Sequence, residues 1–201
     1  MKLKRISIAT SILTLSLLLS SCASYKASPL CSLASEQFFI TNDPLLVVSK
    51  TFSSQDCDRY LDRDVISEGY QPVQLYFQND TDKSYLFSLT RIGLPIARPE
   101  EVAEKVHTST VGRAVGYGAG SLFFWPLAIP AIVDGIGSSK ANKALDSDFF
   151  AKAAKDQIIF PHSRHNTIIF VPTYAYQDTY TLTLIEQESN NPKTFNLTSI
   201  R

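Results

Sequence analysis

The chain has 201 residues and balances 19 basic against 19 acidic side chains, so its formal net charge is zero. Hydrophobic residues make up 44% of the chain, which indicates a folded protein with a core and argues against a disordered one. A neutral chain lacks the basic excess that nucleic-acid binding requires, so we predict no nucleic-acid partner.

The first 21 residues have the three parts of a secretory signal peptide. A basic start is followed by the uncharged apolar stretch 6–19, which is too short to span a bilayer, and by two small residues before Cys22. The tetrad Leu19-Ser20-Ser21-Cys22 resembles the lipobox of bacterial lipoproteins, in which the cysteine is acylated and becomes the new N-terminus. The alternative is a plain signal peptide with a cysteine nearby.

The resemblance to bacterial lipoproteins implies lipidation of Cys22 and location in the cell envelope. Ala23 follows the cysteine in place of an aspartate, which by the same resemblance points to the outer membrane. Cleavage after residue 21 leaves 180 residues with 16 basic and 19 acidic side chains, a net charge of −3. An acidic protein is not drawn to anionic lipid, so we expect the acyl chains to provide the attachment.

The mature chain is predicted to begin with a tether and to continue as one domain. Residues 22–35 are small and polar with a single proline, a composition that suits a flexible lipidated tether. Residues 36–201 have the size of one ordinary domain. Cys31 and Cys57 form a possible disulfide outside the cytoplasm, worth about 3 kcal/mol in the chain-entropy model, and the sequence leaves open whether it forms.

Short strands with polar turns dominate the domain. Alternating apolar and polar residues over 73–78 indicate a half-buried strand, and the turn 79–82 followed by residues 84–89 predicts its hairpin partner. A helix is predicted over residues 54–67. Further strands are predicted over 37–40, 45–51, 157–160, 167–172, 179–186 and 194–200, with a turn over 161–166. The pattern predicts the α+β class, as an antiparallel β-sandwich of seven or eight strands.

A helical insertion at about residues 99–155 separates the two groups of strands. Pro99 opens a helix, and a second cap is predicted at Asp146 or Ser147. Between them, residues 114–133 carry no charge. The insertion contains a four-residue repeat of glycine, which on a helix makes a stripe that another backbone can approach. The glycines are Gly112, Gly116 and Gly120, and the bulky side chains that follow are Phe123, Phe124 and Trp125.

Pro126 and Pro130 are expected to break this helix and to make a hairpin with the aromatic residues at its tip. Three interpretations stay open for the hairpin. It packs within the domain, its tip enters one leaflet of the membrane, or it contacts an envelope protein or a second copy of the chain. Glycine-zipper segments of other bacterial envelope lipoproteins are similar over residues 112–120 alone.

No motif of a known catalytic class occurs in the chain, so we predict that it is not an enzyme and has no cofactor. His162 and His165 are weak candidates for a metal site, because they stand three residues apart in a predicted turn without a neighbouring acid or cysteine. The sequence therefore predicts a lipid-anchored, non-catalytic structural or interaction protein of the envelope. The alternative is a periplasmic small-molecule or metal-binding module that uses the loop at His162 and His165.

Overall fold

The computed structural model of the chain describes residues 24–33, 43–108 and 128–200, with residues 128–138 described by their backbone. The chain divides into two compact units. The first comprises Met1–Tyr25 and His107–Leu145, and the second comprises Lys26–Val106 and Asp146–Arg201. All strands of the described ranges belong to the second unit.

These strands form two antiparallel sheets. The first has the order β1 (Leu45–Thr51), β2 (Tyr70–Asn79), β5 (Ser163–Pro172), and the second has the order β4 (Gln157–Ile159), β3 (Tyr85–Phe87), β6 (Thr179–Glu186), β7 (Pro192–Thr198). The helices are α1 (Ser54–Leu61), α2 (Pro99–Lys105) and α3 (Ala128–Lys152). The predicted α+β class is confirmed, and β1 and β6 have the predicted bounds. The predicted strand 37–40 lies outside the described residues.

One hydrophobic core takes side chains from both sheets. In β2 the inward residues are Val73, Leu75 and Phe77, every second position as the alternation predicted. The rings of Phe77 and Phe87, which belong to different sheets, lie 4.9 Å apart between centroids. The core of the second unit therefore sits between the three-stranded and the four-stranded sheet.

The other face of the three-stranded sheet is also buried, which the sequence did not predict. Tyr76 and Gln74 alternate with the core residues of β2, yet both are fully buried. Leu33 packs against Tyr76, and Phe149 of α3 stacks on Phe170 of β5 with ring centroids 5.5 Å apart. The alternation indicated a half-buried strand because a polar glutamine and the hydroxyl of a tyrosine read as solvent-facing positions.

The predicted hairpin between residues 73–78 and 84–89 is wrong. β2 pairs with β1 and β5, whereas β3 pairs with β4 and β6 in the other sheet. The side chain of Asn79 holds the turn that takes the chain from one sheet to the other. Its Nδ2 donates to the carbonyl oxygens of Lys83 and Phe160, at 2.7 and 2.9 Å. Its Oδ1 accepts from the backbone N–H of Thr81 at 3.1 Å. The turn signal at 79–82 was correct, but it marks a crossing between sheets.

Helix α1 begins as predicted and ends six residues early. Ser53 and Asp56 form a capping box at its start. Its end is fixed at Asp62, which adopts a left-handed conformation with φ of 50°. Asp is one of the few residues other than glycine that tolerate this conformation, so the helix stops there and not at residue 67.

Helix α2 begins with Pro99 at its first position, as predicted. The cap predicted at Asp146 or Ser147 is wrong, because α3 continues through both residues to Lys152. Pro130, which was expected to break a helix, lies within α3, whose helical backbone continues on both sides of it. Pro126 lies outside the described residues. Among the described residues, no helix combines the length and the apolar character needed to cross a bilayer.

Candidate functional site

Most residues predicted to act at a membrane or partner lie outside the described part of the chain. These are the lipidation residue Cys22, the glycines Gly112, Gly116 and Gly120, and the aromatic residues Phe123, Phe124 and Trp125. Their roles stay predictions. The second unit, in contrast, places the remaining candidate residues in defined surroundings.

Cys31 and Cys57 are free thiols in the structure. The sulfur of Cys31 accepts a hydrogen bond from the Tyr60 hydroxyl at 3.0 Å. Cys57 is fully buried on α1, and burial raises the pKa of its thiol to about 12. A buried protonated thiol is a poor nucleophile, so Cys57 is a core residue of α1 in this structure.

The two histidines do not share one turn, because β5 begins at Ser163 and includes His165. His162 lies before the strand with φ of 52°, and its Nε2 is 3.0 Å from a carboxylate oxygen of Asp82. His165 is half-buried beside Phe77, and burial lowers the pKa of its imidazole. Among the described residues no three histidine, cysteine or acidic side chains come together as a set of metal ligands.

The segment 26–33, predicted as part of the flexible tether, is bound along the domain. The backbone N–H of Ser28 donates to the carbonyl oxygen of Arg59 at 2.8 Å, and that of Lys26 donates to the Asp62 carboxylate at 2.8 Å. Further along, Gln74 donates from its amide to the carbonyl oxygen of Cys31 at 2.7 Å. Leu33 then ends the segment with a fully buried side chain.

Lys152, the last residue of α3, holds this segment through its ammonium group. Its Nζ donates to the carbonyl oxygens of Ser28 and Tyr60 at 2.8 and 2.7 Å, and to the Asp148 carboxylate at 2.6 Å. All three ammonium protons thus have acceptors, and the side chain is only 9% exposed. One buried cation therefore joins α3, α1 and the N-terminal segment.

A cavity of about 290 Å³ lies beside the outer edge of β5. Its walls are mainly aliphatic and aromatic, and include Leu94, Ile96, Ala154, Ile168 and Phe170. Thr90 and the exposed residue Arg98 supply polar groups to the lining. An apolar pocket with a few polar groups is the usual form of a small-molecule site, and a cation there suits a ligand with an anionic end.

The face of the four-stranded sheet that points away from the core carries a row of apolar side chains. Strand register places Ile158, Leu86, Ile185 and Pro192 directly across from one another on β4, β3, β6 and β7. Ile158 is 39% exposed, and Phe160 beyond it is 61% exposed. We call Ile158, Leu86, Ile185, Pro192 and Phe160 the outer-face row. Elsewhere the same face is polar, as in the pair Thr183 and Thr194, whose hydroxyl oxygens lie 2.9 Å apart.

Sequence reasoning missed Lys152, Arg98 and the outer-face row. A lysine near a helix C-terminus reads as a solvated partner of the helix dipole, and an arginine before a proline reads as a loop residue. The row depends on the register of four strands, which local patterns do not contain.

Comparison of the chain with family models, with curated protein sequences and with solved structures finds no match.

Proposed function

We propose that this chain is a lipid-anchored protein of the bacterial envelope with a non-catalytic interaction role. The two sheets form the halves of a β-sandwich, and residues 99–155 are its helical insertion with a glycine-rich hairpin. The lipobox-like tetrad that ends at Cys22 supports the anchor. The outer-face row is the observation that carries the interaction role.

The outer-face row has the character of a protein contact. Four apolar residues in cross-strand register make a continuous strip, and burying each exposed aliphatic side chain yields up to about 1.5–3 kcal/mol. Polar residues such as Thr183 and Thr194 flank the strip on the same face. An apolar centre with a polar rim is the usual anatomy of a protein interface.

Photo-crosslinking in cells that produce the full chain tests the interaction role. A photoreactive residue at Ile158 is expected to give a defined adduct, with a partner protein or with a second copy. Ile185→Asp, in the same row, should abolish that adduct, whereas Thr181→Asp on the polar part of the face should leave it unchanged. An adduct that survives Ile185→Asp, or no adduct at all, would reject the row as the contact surface.

The hairpin predicted over the insertion is a second contact in this proposal, with the membrane, a partner or another copy. Co-sedimentation of residues 23–201 with vesicles, beside the Trp125→Asp variant, separates these choices. Pelleting that Trp125→Asp removes identifies a membrane contact. If neither protein pellets, the tip contacts protein or solvent.

The cavity beside β5 favours small-molecule binding as a second candidate function. Its apolar walls and Arg98 suit a molecule with an aliphatic part and an anionic end. The small-molecule or metal-binding site predicted at His162 and His165 has less support. His162 lies beside Asp82 and His165 lies beside Phe77, so the two side chains do not share one environment. A thermal shift with a medium-chain fatty acid tests the cavity, and no shift at saturating concentration would remove this function.

A further inference from the structure

We infer that the side of the second unit formed by α1 and the N-terminal segment faces the phospholipid headgroups of the leaflet that holds the lipid anchor. This inference rests on the proposed lipidation of Cys22. It adds to that proposal the orientation of the domain at the membrane.

The first step is that hydrogen bonds and packing hold residues 26–33 on the surface of the domain. Lys26 and Ser28 are hydrogen-bonded to the C-terminal end of α1, and the Lys152 ammonium holds the Ser28 carbonyl oxygen from the other side. Leu33 is fully buried against the sheet. The segment is therefore part of the domain surface, unlike a free tether, which would let the domain rotate above the membrane.

The second step is the short covalent distance to the anchor. Cys22 precedes Lys26 by four residues, and four residues of fully extended chain cover at most about 14 Å. An acylated cysteine lies at the level of the headgroups, because its acyl chains are in the hydrocarbon layer. The surface around Lys26 is thus confined to the immediate neighbourhood of the bilayer.

The third step is the chemistry of that surface. Lys26 and Arg59 are exposed there, and the Arg59 guanidinium lies 5.3 Å from the centre of the Tyr60 ring. Both cations can meet lipid phosphates, although Asp58 and Asp62 of the same region offset their charge. The headgroup contact therefore depends on the short covalent attachment, with electrostatics as a minor contribution.

The orientation has a consequence for the outer-face row. The N-terminal segment packs on the outer side of the three-stranded sheet through Leu33 and Tyr76, and the four-stranded sheet lies on the other side of the core. Two packed sheets are separated by about 10 Å, so the outer-face row is on the side of the domain away from the bilayer. A surface in that position is open to a protein and not to the anchoring leaflet.

Fluorescence quenching by lipid tests this orientation on the full-length protein purified from membranes. A dye is attached at Arg59→Cys or, as the matched control, at Asn196→Cys, which is exposed on the outer face of the four-stranded sheet. Cys31→Ser in both proteins removes the partly exposed thiol, and the burial of Cys57 protects it from the dye. The proteins are placed in phosphatidylethanolamine and phosphatidylglycerol vesicles that contain a headgroup nitroxide lipid.

We expect several-fold stronger quenching of the dye at position 59 than of the dye at position 196. A flexible insert of a dozen Gly and Ser residues after Tyr25 should reduce this difference, because it restores rotation. Equal quenching at the two positions in acylated protein would overturn the orientation alone. If the mass of the protein shows no acyl chains, and Cys22→Ser changes that mass only by the exchange of sulfur for oxygen, the anchor and the orientation are both wrong.

Discussion

The ammonium group of Lys152 donates a hydrogen bond of 2.8 Å to the carbonyl oxygen of Ser28, 124 residues earlier in the chain. The same group reaches the carbonyl oxygen of Tyr60 at the end of α1. A buried cation with all its protons engaged is costly to disrupt, because the acceptors left behind stay away from water. The contact therefore fixes the N-terminal segment to the domain, and it is the feature on which the proposed orientation depends.

Lys152→Met should destabilise the domain and release the segment 26–33. The change leaves the Ser28 and Tyr60 carbonyl oxygens without this donor, at an expected cost of about 2–4 kcal/mol in the free energy of unfolding. Urea unfolding and limited proteolysis measure the two effects. Lys105→Met, the same change at an exposed position, should cost less than about 0.5 kcal/mol. Equal losses in the two variants would show that Lys152 does not fix the segment.

Cys57 should make the folded state less stable at alkaline pH. Burial raises the pKa of its thiol to about 12, whereas a thiol in the unfolded chain ionises near pH 8.5–9. The unfolded state therefore loses a proton first, and stability falls as the pH rises from about 9 toward 12. Between pH 9 and 10 we expect Cys57 to contribute a loss of about 1 kcal/mol in the free energy of unfolding, and tyrosines with raised pKa values, such as Tyr60 and Tyr180, add to that loss.

The control for this pH dependence is Cys57→Ala, which removes the titrating group. Its free energy of unfolding is expected to be lower at neutral pH, because the buried sulfur leaves a small cavity. Its slope between pH 9 and 10 should nevertheless be flatter than that of the parent chain. An unchanged slope in urea titrations would assign the alkaline loss to other groups.

Asn79→Ala should destabilise the crossing between the two sheets. The side chain is fully buried and donates to the carbonyl oxygens of Lys83 and Phe160, so its loss leaves both acceptors unsatisfied. We expect a cost of about 2–4 kcal/mol in the free energy of unfolding by urea. Asp80→Ala, at the next and exposed position, is the matched control and should change stability little. A small effect of Asn79→Ala would mean that the turn forms without its side chain.

Asn79 also shows how far the sequence alone could predict this fold. Polar turn residues and alternating strands were visible, and β1 and β6 had the predicted bounds. The sequence did not reveal that the turn at Asn79 joins two sheets, because a hairpin and a crossing use the same local turn residues. The sheet that β3 joins depends on partner strands far along the chain, because Tyr85 pairs with Ile159 of β4 and Glu186 of β6.

The candidate site was harder to predict than the fold for the same reason. His162 and His165 are neighbours in sequence, but a turn residue and a strand residue have different surroundings. Lys152 and Ser28 are distant in sequence and meet in space. The small polar residues before the domain indicated a flexible tether. Their composition could not show that Lys152 donates a hydrogen bond that holds part of this segment on the domain.

Arg98 should determine the affinity of the cavity beside β5 for an anionic amphiphile. Decanoate is the probe, and a ligand that binds only the folded state raises the melting temperature by an amount that grows with the logarithm of its concentration above the dissociation constant. Arg98→Gln removes a charge-assisted contact worth about 1.5 kcal/mol. We therefore expect calorimetry to show a roughly tenfold larger dissociation constant for decanoate. The control is Arg91→Gln, because Arg91 is exposed and does not line the cavity. This variant should leave the dissociation constant for decanoate unchanged. Equal affinities in the two variants would show that decanoate binds elsewhere or without its carboxylate.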